Sequence, residues 1–196
     1  MQRSRADLNN VRYAPISTPL GQLYVAYRGR AICYAMAAAS DRDFERACAR
    51  GLGRRPVRER HLQKGLAKQV VDHLNGKRPF SGPFDLSHLT PFQRLVLEKV
   101  RRIPPGEVRS YTWVAKQIGA GRAVRAVGTA LARNPIPFLI PCHRVVRSDG
   151  RIGHYSAGGP SMKAKVLAFE GVKIEGLERP RAPAIRLAGK AAGKTF

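Results

Sequence analysis

The apolar residues in the first half of the chain fall into two short runs and one helical stripe. "GQLYVAY" and "AICYAM" are rich in Tyr, Val and Ile and flank "RGR", which predicts two strands around a turn at Gly29. Ser40 followed three residues later by Asp43 is a helix-start signal, so a helix is predicted over about 41–50.

A second helix is predicted over 59–74. Its apolar positions repeat with helical spacing and form one stripe, namely Leu62, Leu66, Val70 and Leu74. "NGKRPFSGPFD" then breaks the pattern with Gly and Pro, so we expect a domain boundary between about 80 and 90. We divide the chain into an N-terminal α/β domain, 1–88, a C-terminal domain, 89–175, and a basic tail, 176–196, whose composition predicts disorder.

The second half of the chain begins with a helix-capping pattern. Thr90, Pro91 and Gln93 fit a capping box, and the helix that follows presents an apolar face made of Phe92, Leu95, Val96 and Val100. After "IPPG", Ser110 caps "YTWVAKQI", "GAG" turns the chain and "RAVRAVGTALARN" forms another helix. This is the spacing of a helix-turn-helix.

The second helix of that pair has an outward face of mostly small residues. Three of its residues can face the core: Val124, Val127 and Leu131. The opposite face carries Arg125, Gly128, Thr129 and Ala132. A helix that reads bases in the major groove needs long polar side chains, whereas small residues suit close approach to a narrow minor groove. The alternative is an internal helix whose small residues pack against another element.

The segment after the helix pair is predicted to be extended. Three prolines in "NPIPFLIP" exclude a helix, so "FLIPCHRVV" is expected to be extended and buried. "SDGRIGHYSAGGP" follows as a loop, and a last helix over about 161–170 ends at Gly171. This helix places Glu170 on an apolar stripe, where a carboxylate needs a partner.

The charge of the chain indicates a polyanionic partner. The formal charge is +23, from 36 Lys and Arg against 13 Asp and Glu. Counterion release gives such a chain salt-sensitive affinity for nucleic acid; an anionic membrane surface and a merely solubilising charge are the alternatives. Since no apolar stretch reaches the roughly 18 residues of a membrane span, we expect no membrane partner and a cytoplasmic location, nucleoid-associated in a prokaryote or nuclear in a eukaryote.

The three cysteines, Cys33, Cys48 and Cys142, are scattered without metal-binding spacing. An odd number of cysteines without CxxC indicates neither a disulfide framework nor a zinc site, so we expect a reducing compartment and no metal. Cys142 is the only cysteine with a histidine next to it. It is either a buried core thiol or a reactive nucleophile.

Several motifs of the second half occur together in one known family. They are "PCHRV" at 141–145, "RAVG" at 125–128, "NPIP" at 134–137, "GHYS" at 153–156 and an "FQ…VL…IP.G…SY" pattern that begins at Phe92. In this order they resemble the O6-alkylguanine-DNA alkyltransferase family, also called methylated-DNA–protein-cysteine methyltransferases. The resemblance is dense from about 90 to 171 and weaker before it, where it depends mainly on "STPLGQLYVA" at 17–26.

The resemblance implies a ribonuclease-H-like N-terminal α/β domain and a mostly α C-terminal domain with a winged-helix-like helix-turn-helix. Members of the family bind double-stranded DNA in the minor groove and flip an alkylated guanine into the protein. For this chain the resemblance implies direct, stoichiometric repair by a monomer without a cofactor. Cys142 would take a methyl group from O6 of guanine, and also from O4 of thymine, and would be irreversibly inactivated.

The chemistry explains the catalytic residues that the resemblance implies. Alkyl transfer from an aryl-type oxygen needs a soft anionic nucleophile, because the thiolate and not the thiol attacks. Cys142 would be that nucleophile, His143 its proton acceptor through a water, and Glu170 the group that orients the imidazole. Asn134 matches a hinge residue between the recognition helix and the active-site strand.

The resemblance also implies residues that recognise the flipped base and the duplex. The backbone carbonyls of Cys142 and Val145 would accept hydrogen bonds from the exocyclic amine of the guanine, and Tyr111 would donate one to a ring nitrogen of the guanine. Tyr155 and Ser156 would lie beside the base, with the Ser156 region donating to O6. Arg125 would fill the place that the base vacates. The other DNA-binding candidates are Gln93, Thr112, Arg122, Gly128, Thr129 and Ser148.

The sequence departs from the family pattern at three places. "SAGGPS" is about one residue longer than the usual loop, and His154 stands where a small or amide residue is common, which is expected to narrow the pocket towards methyl. Arg28 stands where some members have a zinc-binding cysteine. Two rival functions are a non-catalytic sensor of alkylated DNA, disfavoured by Cys142, and a transcription regulator, disfavoured by the missing base-reading side chains.

Overall fold

The computed structural model describes residues 10–18, 21–175 and 184–185, which form two compact units. The first holds the described residues up to Arg94 together with Asn134–Ile140, and the second holds Leu95–Arg133 and the described residues from Pro141 onward. This division differs from the expected boundary at residue 88. The segment 134–140 joins the first unit because hydrogen bonds hold it there, such as Ala35 N to Pro135 O at 2.8 Å.

A four-stranded sheet forms the base of the first unit. Its strands are β1 (Arg12–Thr18), β2 (Gly21–Arg28), β3 (Ala31–Ala37) and β4 (Val57–Arg58). They lie in the order β3-β2-β1-β4, with β4 parallel to β1 and the other pairs antiparallel. The two strands predicted around Gly29 are β2 and β3. Strand β1 was not predicted; its Pro15 is tolerated because it lies beyond the two residues that pair with β4.

Two helices complete the first unit: α1 (Asp41–Leu52) and α2 (Lys64–Leu74). Ser40 caps α1 by accepting from Asp43 N at 3.2 Å, as predicted. Helix α2 starts later than the predicted residue 59, because Glu59 N donates to Tyr13 O at 2.7 Å and so continues the pairing of β4 with β1.

The core of the first unit contains a cluster of aromatic rings. The Phe44 ring lies 5.0 Å from that of Tyr13 and 5.2 Å from that of Tyr24, measured between centroids. Cys33 and Cys48 belong to this cluster and are fully buried. Strands and helix therefore enclose both thiols in apolar packing.

Three helices lead into the second unit: α3 (Pro91–Val100), α4 (Tyr111–Gln117) and α5 (Val124–Ala132). The predicted capping box is confirmed, since Thr90 N donates to Gln93 Oε1 at 3.0 Å and Gln93 N to Thr90 Oγ1 at 3.3 Å. Leu95, expected on the buried face of α3, is 50% exposed. Ser110 caps α4 through Trp113 N at 3.0 Å, and α4 and α5 form the predicted helix pair.

The remaining described residues of the second unit include one more helix. A 3₁₀ turn (Cys142–Arg144) is followed by β6 (Val145–Val146), which pairs in parallel with β5 (Arg109–Ser110). Helix α6 (Gly159–Phe169) has Glu170 as its C-cap residue. The mixed first unit and mostly helical second unit are confirmed in outline, and no helix in the described ranges has the length and apolar character to cross a membrane.

The predicted tail lies outside the described residues, with one exception. Ala184–Ile185 form a strand, β8, that pairs antiparallel with β7 (Ile174–Glu175). At these two positions of the predicted tail the chain has a backbone partner.

Candidate active site

Cys142 begins the 3₁₀ turn, where the sequence predicted an extended strand. Arg144 N donates to Pro141 O at 3.0 Å and closes the turn, so Cys142–Arg144 are helical rather than extended. The burial expected for this segment is confirmed, with Cys142 only 4% exposed. Because a 3₁₀ helix has about 3 residues per turn, His143 does not lie on the face directly opposite Cys142, as it would in a strand.

A cavity of about 340 Å³ in the second unit reaches Cys142. It is lined by residues from α4, α5, the 3₁₀ turn and the loop before α6: Tyr111, Arg125, Gly128, Thr129, Leu131, Ala132, Cys142, His154, Tyr155 and Ser156. The volume is at the lower end of the range for small-molecule sites, roughly 300–1,000 Å³. The cavity is therefore large enough for one flat ring system.

His143 is held by a carboxylate on one side only. Its Nε2 lies 3.0 Å from Glu170 Oε1, while Nδ1 is buried without a hydrogen-bond partner among the described residues. Burial lowers the pKa of His143 below its usual 6.5, although Glu170 acts in the opposite direction. An ionised carboxylate can only accept, so Nε2 carries the proton and Nδ1 of the neutral ring is left as a proton acceptor.

Arg144 holds Glu170 in place and keeps it ionised. Its Nε and Nη2 donate to the two carboxylate oxygens of Glu170 at 2.9 and 2.6 Å, and its Nη1 donates to Ile103 O at 2.5 Å. Burial favours the protonated carboxyl, but the hydrogen bonds from His143 and Arg144 outweigh it and lower the pKa of Glu170 to about 2. The carboxylate that sequence periodicity placed on an apolar stripe therefore has two buried partners.

Lys163 is a fully buried cation near the same cysteine. Its Nζ donates to Val145 O at 2.6 Å and to His154 O at 3.4 Å, and lies 5.7 Å from the centroid of the Tyr111 ring. Burial lowers the pKa of Lys163 to about 8, while the charge of Cys142 acts in the opposite direction. Lys163 thus connects the strand after Cys142 to the loop that lines the cavity.

Two tyrosines stand beside the thiol. Burial, and then the charge of Cys142, raise the pKa of Tyr111, so its hydroxyl is protonated and can donate. The Tyr155 ring meets the imidazole of His143 edge-on, with centroids 6.3 Å apart. Donors and rings therefore surround the space in front of Cys142.

The outward face of α5 is open, which makes the alternative of an internal helix wrong. Arg125, Thr129 and Ala132 are exposed and line the cavity, whereas Val127, Ala130 and Leu131 are buried. A methyl group at Gly128 would meet Tyr111 Cε1 at 3.9 Å, which is an ordinary contact. No packing among the described residues therefore requires glycine at this position.

Besides His143, Val145 and Glu170, five of the predicted site residues do not line the cavity. Asn134 and Gln93 belong to the first unit: Asn134 closes the segment 134–140 by donating to Ile140 O at 2.9 Å, and Gln93 serves the capping box. Thr112, Arg122 and Ser148 are not among the cavity-lining residues. Arg122 and Ser148 are exposed and Thr112 is half-buried.

Two residues of the site were missed by the sequence analysis, Arg144 and Lys163. Arg144 lies inside "PCHRV" but was given no role. Lys163 shares the buried side of α6 with Ala164, Val166 and Leu167, so a lysine within an apolar helical face was the available signal. Among the described residues, no group of three His, Cys, Asp or Glu is arranged to hold a metal ion.

Comparison with known proteins gives a consistent set of similarities. Residues 91–172 match the family model described as 6-O-methylguanine DNA methyltransferase, DNA binding domain. The methylated-DNA–protein-cysteine methyltransferase of Mus musculus is 54% identical over 82 residues, which are 41% of this chain and 39% of the relative. The protein of that name from Methanothermobacter thermautotrophicus is 48% identical over 98 residues, 47% of this chain and 54% of the relative.

A solved structure extends the similarity over both units. Mycobacterium tuberculosis OGT in complex with DNA is 32% identical, with a TM-score of 0.68, over 82% of this chain and 92% of that one. The match to the two curated relatives is shorter and spans only 39% and 54% of their lengths.

Proposed function

This chain belongs to the O6-methylguanine DNA methyltransferase family, and we propose that it repairs DNA by moving an alkyl group, chiefly methyl, from O6 of guanine to Sγ of Cys142. One observation carries the proposal: Cys142 lines a cavity and is followed by a buried, neutral histidine whose Nε2 is held by the half-buried carboxylate of Glu170. This is the order of nucleophile, base and orienting group found in other nucleophilic sites.

The transfer is a displacement at the alkyl carbon, with the guanine as the leaving group. Nδ1 of His143 takes the thiol proton through a water, and Glu170 stabilises the imidazolium that forms. The thiolate attacks the alkyl carbon, so that the S–C bond forms while the C–O6 bond breaks and its electron pair remains on the guanine. Tyr111 donates a hydrogen bond to a ring nitrogen, and the Ser156 region donates one to O6, where negative charge develops. The proton that His143 took from the thiol then passes through water to the released guanine, which leaves both protein groups neutral.

The same cavity supports recognition of a flipped base. The carbonyls of Cys142 and Val145 accept from the exocyclic amine of guanine, and Tyr155 lies alongside. A carbonyl oxygen has two acceptor sites, so Val145 O can bind the base while Lys163 holds it at 2.6 Å. Flipping costs a few kcal/mol, least for a damaged base. His154 lines the cavity, which supports a preference for methyl over larger groups.

The exposed face of α5 is the proposed contact with the minor groove of double-stranded DNA. Gly128 and Ala132 permit close backbone approach, and Arg125 enters the duplex in place of the flipped base. Thr129 lies on the same face, and Gln93, Thr112, Arg122 and Ser148 contact the backbone around it. Asn134 acts as the hinge after α5.

The remaining parts of the proposal follow from family membership. The first unit is ribonuclease-H-like and the second contains a winged-helix-like helix-turn-helix. The protein acts once as a monomer, on O6 of guanine and also on O4 of thymine, because no described group can accept the alkyl from the thioether. It acts in the cytoplasm, at the nucleoid of a prokaryote, or in the nucleus of a eukaryote.

Intact-mass spectrometry after incubation with a duplex that contains O6-methylguanine tests the proposal. We expect each protein molecule to gain one methylene mass and the oligonucleotide to lose it, with no further turnover at excess substrate. Tight binding with both masses unchanged would contradict alkyl transfer and would indicate a sensor of damaged DNA instead.

A further inference from the structure

Helix α1, in the first unit, has a row of arginines on the side opposite its buried residues. Arg42, Arg46 and Arg50 are exposed and four positions apart, so they lie along one face of the helix. The residues buried on the other side are Phe44, Ala47 and Cys48. We call Arg42, Arg46 and Arg50 the α1 arginine stripe.

The carboxylates nearest in sequence make their hydrogen bonds to other residues and form no ion pair with this stripe. Asp41 accepts from Arg58 Nε, Asp43 from Ser40 Oγ and Glu45 from Tyr13 Oη, all at 2.7 Å. Glu59 accepts from Arg12 Nη1 and from Tyr27 Oη. In the described part of the chain, no carboxylate forms an ion pair with any member of the stripe.

The neighbouring helix α2 shows the usual arrangement of a solvated face. There Lys68 donates to Asp72 at 2.7 Å across one helical turn, so that opposite charges alternate. Like charges at the same spacing destabilise a helix, and surfaces that serve only solubility mix both signs. The three arginines repel one another at this spacing, and although Asp41, Asp43 and Glu45 lie in the same helix, none of them forms an ion pair with the stripe. A bound polyanion would relieve the repulsion.

We propose that the α1 arginine stripe binds the phosphate backbone of DNA, as a contact separate from the face of α5. The inference rests on the proposed function in one respect, that DNA is the partner. At about 1.5 Å per residue the stripe spans roughly 12 Å, which is long enough to reach more than one phosphate of a strand. Arg54 and Arg55, exposed just after the helix, extend the positive charge.

The test is the salt dependence of binding to an unmodified duplex. The variant Arg42→Gln, Arg46→Gln, Arg50→Gln keeps good helix formers in place and removes repulsion, so we expect no loss of thermal stability. Each phosphate contact contributes about 0.9 to the slope of log K against log salt. We therefore expect a slope shallower than that of the wild type by up to about 2.7.

A matched control removes the same charge from the same unit. Lys64, Lys77 and Arg78 are exposed, and the latter two lie close enough to Asp72 to lower its pKa. The variant Lys64→Gln, Lys77→Gln, Arg78→Gln is expected to keep a slope near that of the wild type. An unchanged slope in the α1 variant, or an equal fall in both variants, would overturn the proposal.

Two further measurements identify the partner of the stripe and separate its role from that of Cys142. If the α1 variant lost binding to polyglutamate but kept the wild-type DNA slope, the stripe would serve an acidic protein, and the DNA assignment would be overturned. Methyl transfer from a short methylated single strand should match wild type in the α1 variant. If the wild type itself transfers no methyl group, the proposed function fails, whereas the slope comparison still decides whether the stripe binds DNA.

Discussion

Cys33 and Cys48 in the first unit and Cys142 in the second are all buried thiols with different surroundings. Cys33 and Cys48 lie among aromatic rings, and burial raises the pKa of both, that of Cys33 to about 12. Near Cys142, hydrogen bonds join His143 and Arg144 to Glu170, and Lys163 donates to the backbone carbonyl of Val145. All of these residues belong to the second unit.

The contrast indicates that the neighbours of a buried thiol, and not burial alone, set whether it can react under the proposed mechanism. At Cys33 and Cys48 the cost of burying a charge outweighs any group that favours the thiolate, so the proton stays on sulfur. At Cys142 the chain instead provides a buried proton acceptor, a carboxylate that orients it and an opening for a substrate. In this account the neighbours of a cysteine determine the reactivity of its thiol.

The largest expected effect comes from removing each thiol in turn. Cys142→Ala should abolish methyl transfer while leaving affinity for unmodified duplex within about threefold of the wild type, because the α5 face is untouched. Cys33→Ala and Cys48→Ala should each keep the wild-type transfer rate and lower the free energy of unfolding by about 1–3 kcal/mol, through lost core packing. Single-turnover rates and thermal unfolding check this; an equal loss of DNA affinity in Cys142→Ala would instead mark a structural residue.

Glu170→Gln should have the next largest effect, because it removes the charge that stabilises the imidazolium. We expect transfer to slow by about 10²-fold or more, within the range for general-base catalysis. Since Glu170 raises the pKa of His143 against burial, the variant should also lose activity at a lower pH than the wild type does. A wild-type rate and pH profile would contradict the role.

The same carboxylate should also set the acid stability of the second unit. The pKa of Glu170 is about 2 in the folded chain against about 4.5 unperturbed, so its contribution is present above pH 4.5 and is lost as the pH falls towards 2. Between pH 4.5 and pH 2, the free energy of unfolding should therefore depend less on pH in Glu170→Gln than in the wild type. Equal pH dependence in both proteins would show that other groups dominate.

Lys163→Met should have a smaller effect and slow transfer about tenfold. The backbone carbonyls of Val145 and His154 would stay in the fold but would lose the hydrogen-bond donor that positions them. The matched control is Lys165→Met, an exposed lysine two positions further along α6. If Lys163 also acts through its charge, the wild-type rate should change near pH 8, where Lys163 titrates, and the variant should lack that step. Equal effects of the two substitutions would remove Lys163 from the site.

Substitution of two glycines, one in each unit, should have the smallest effects. At Gly51 in α1 an added Cβ would lie 2.8 Å from the Tyr34 ring, whereas at Gly128 it has room. Gly51→Ala should therefore lower thermal stability without changing DNA affinity. Gly128→Ala should raise helix stability slightly and weaken duplex binding severalfold, since the added methyl faces the proposed groove. Unchanged DNA affinity in Gly128→Ala would argue against close approach at α5.

Local signals predicted the parts of this fold that depend on neighbouring residues. The caps at Ser40, Thr90 and Ser110 and the helix pair were predicted because capping and periodicity act within one turn. The 3₁₀ turn at Cys142 and strand β1 were not, because a proline pattern allows several backbone paths and tertiary pairing selects one. Lys163 was missed for the same reason, since its two acceptors are backbone carbonyls that only the folded chain brings together.

The most direct test of the central claim is to map the adduct by peptide mass spectrometry after saturating exposure to duplex containing O6-methylguanine. We expect one methyl group per molecule, on Cys142 alone, with Cys33 and Cys48 unmodified. An adduct on Cys33 or Cys48, or an unchanged Cys142 in a protein that has bound the duplex, would contradict the claim.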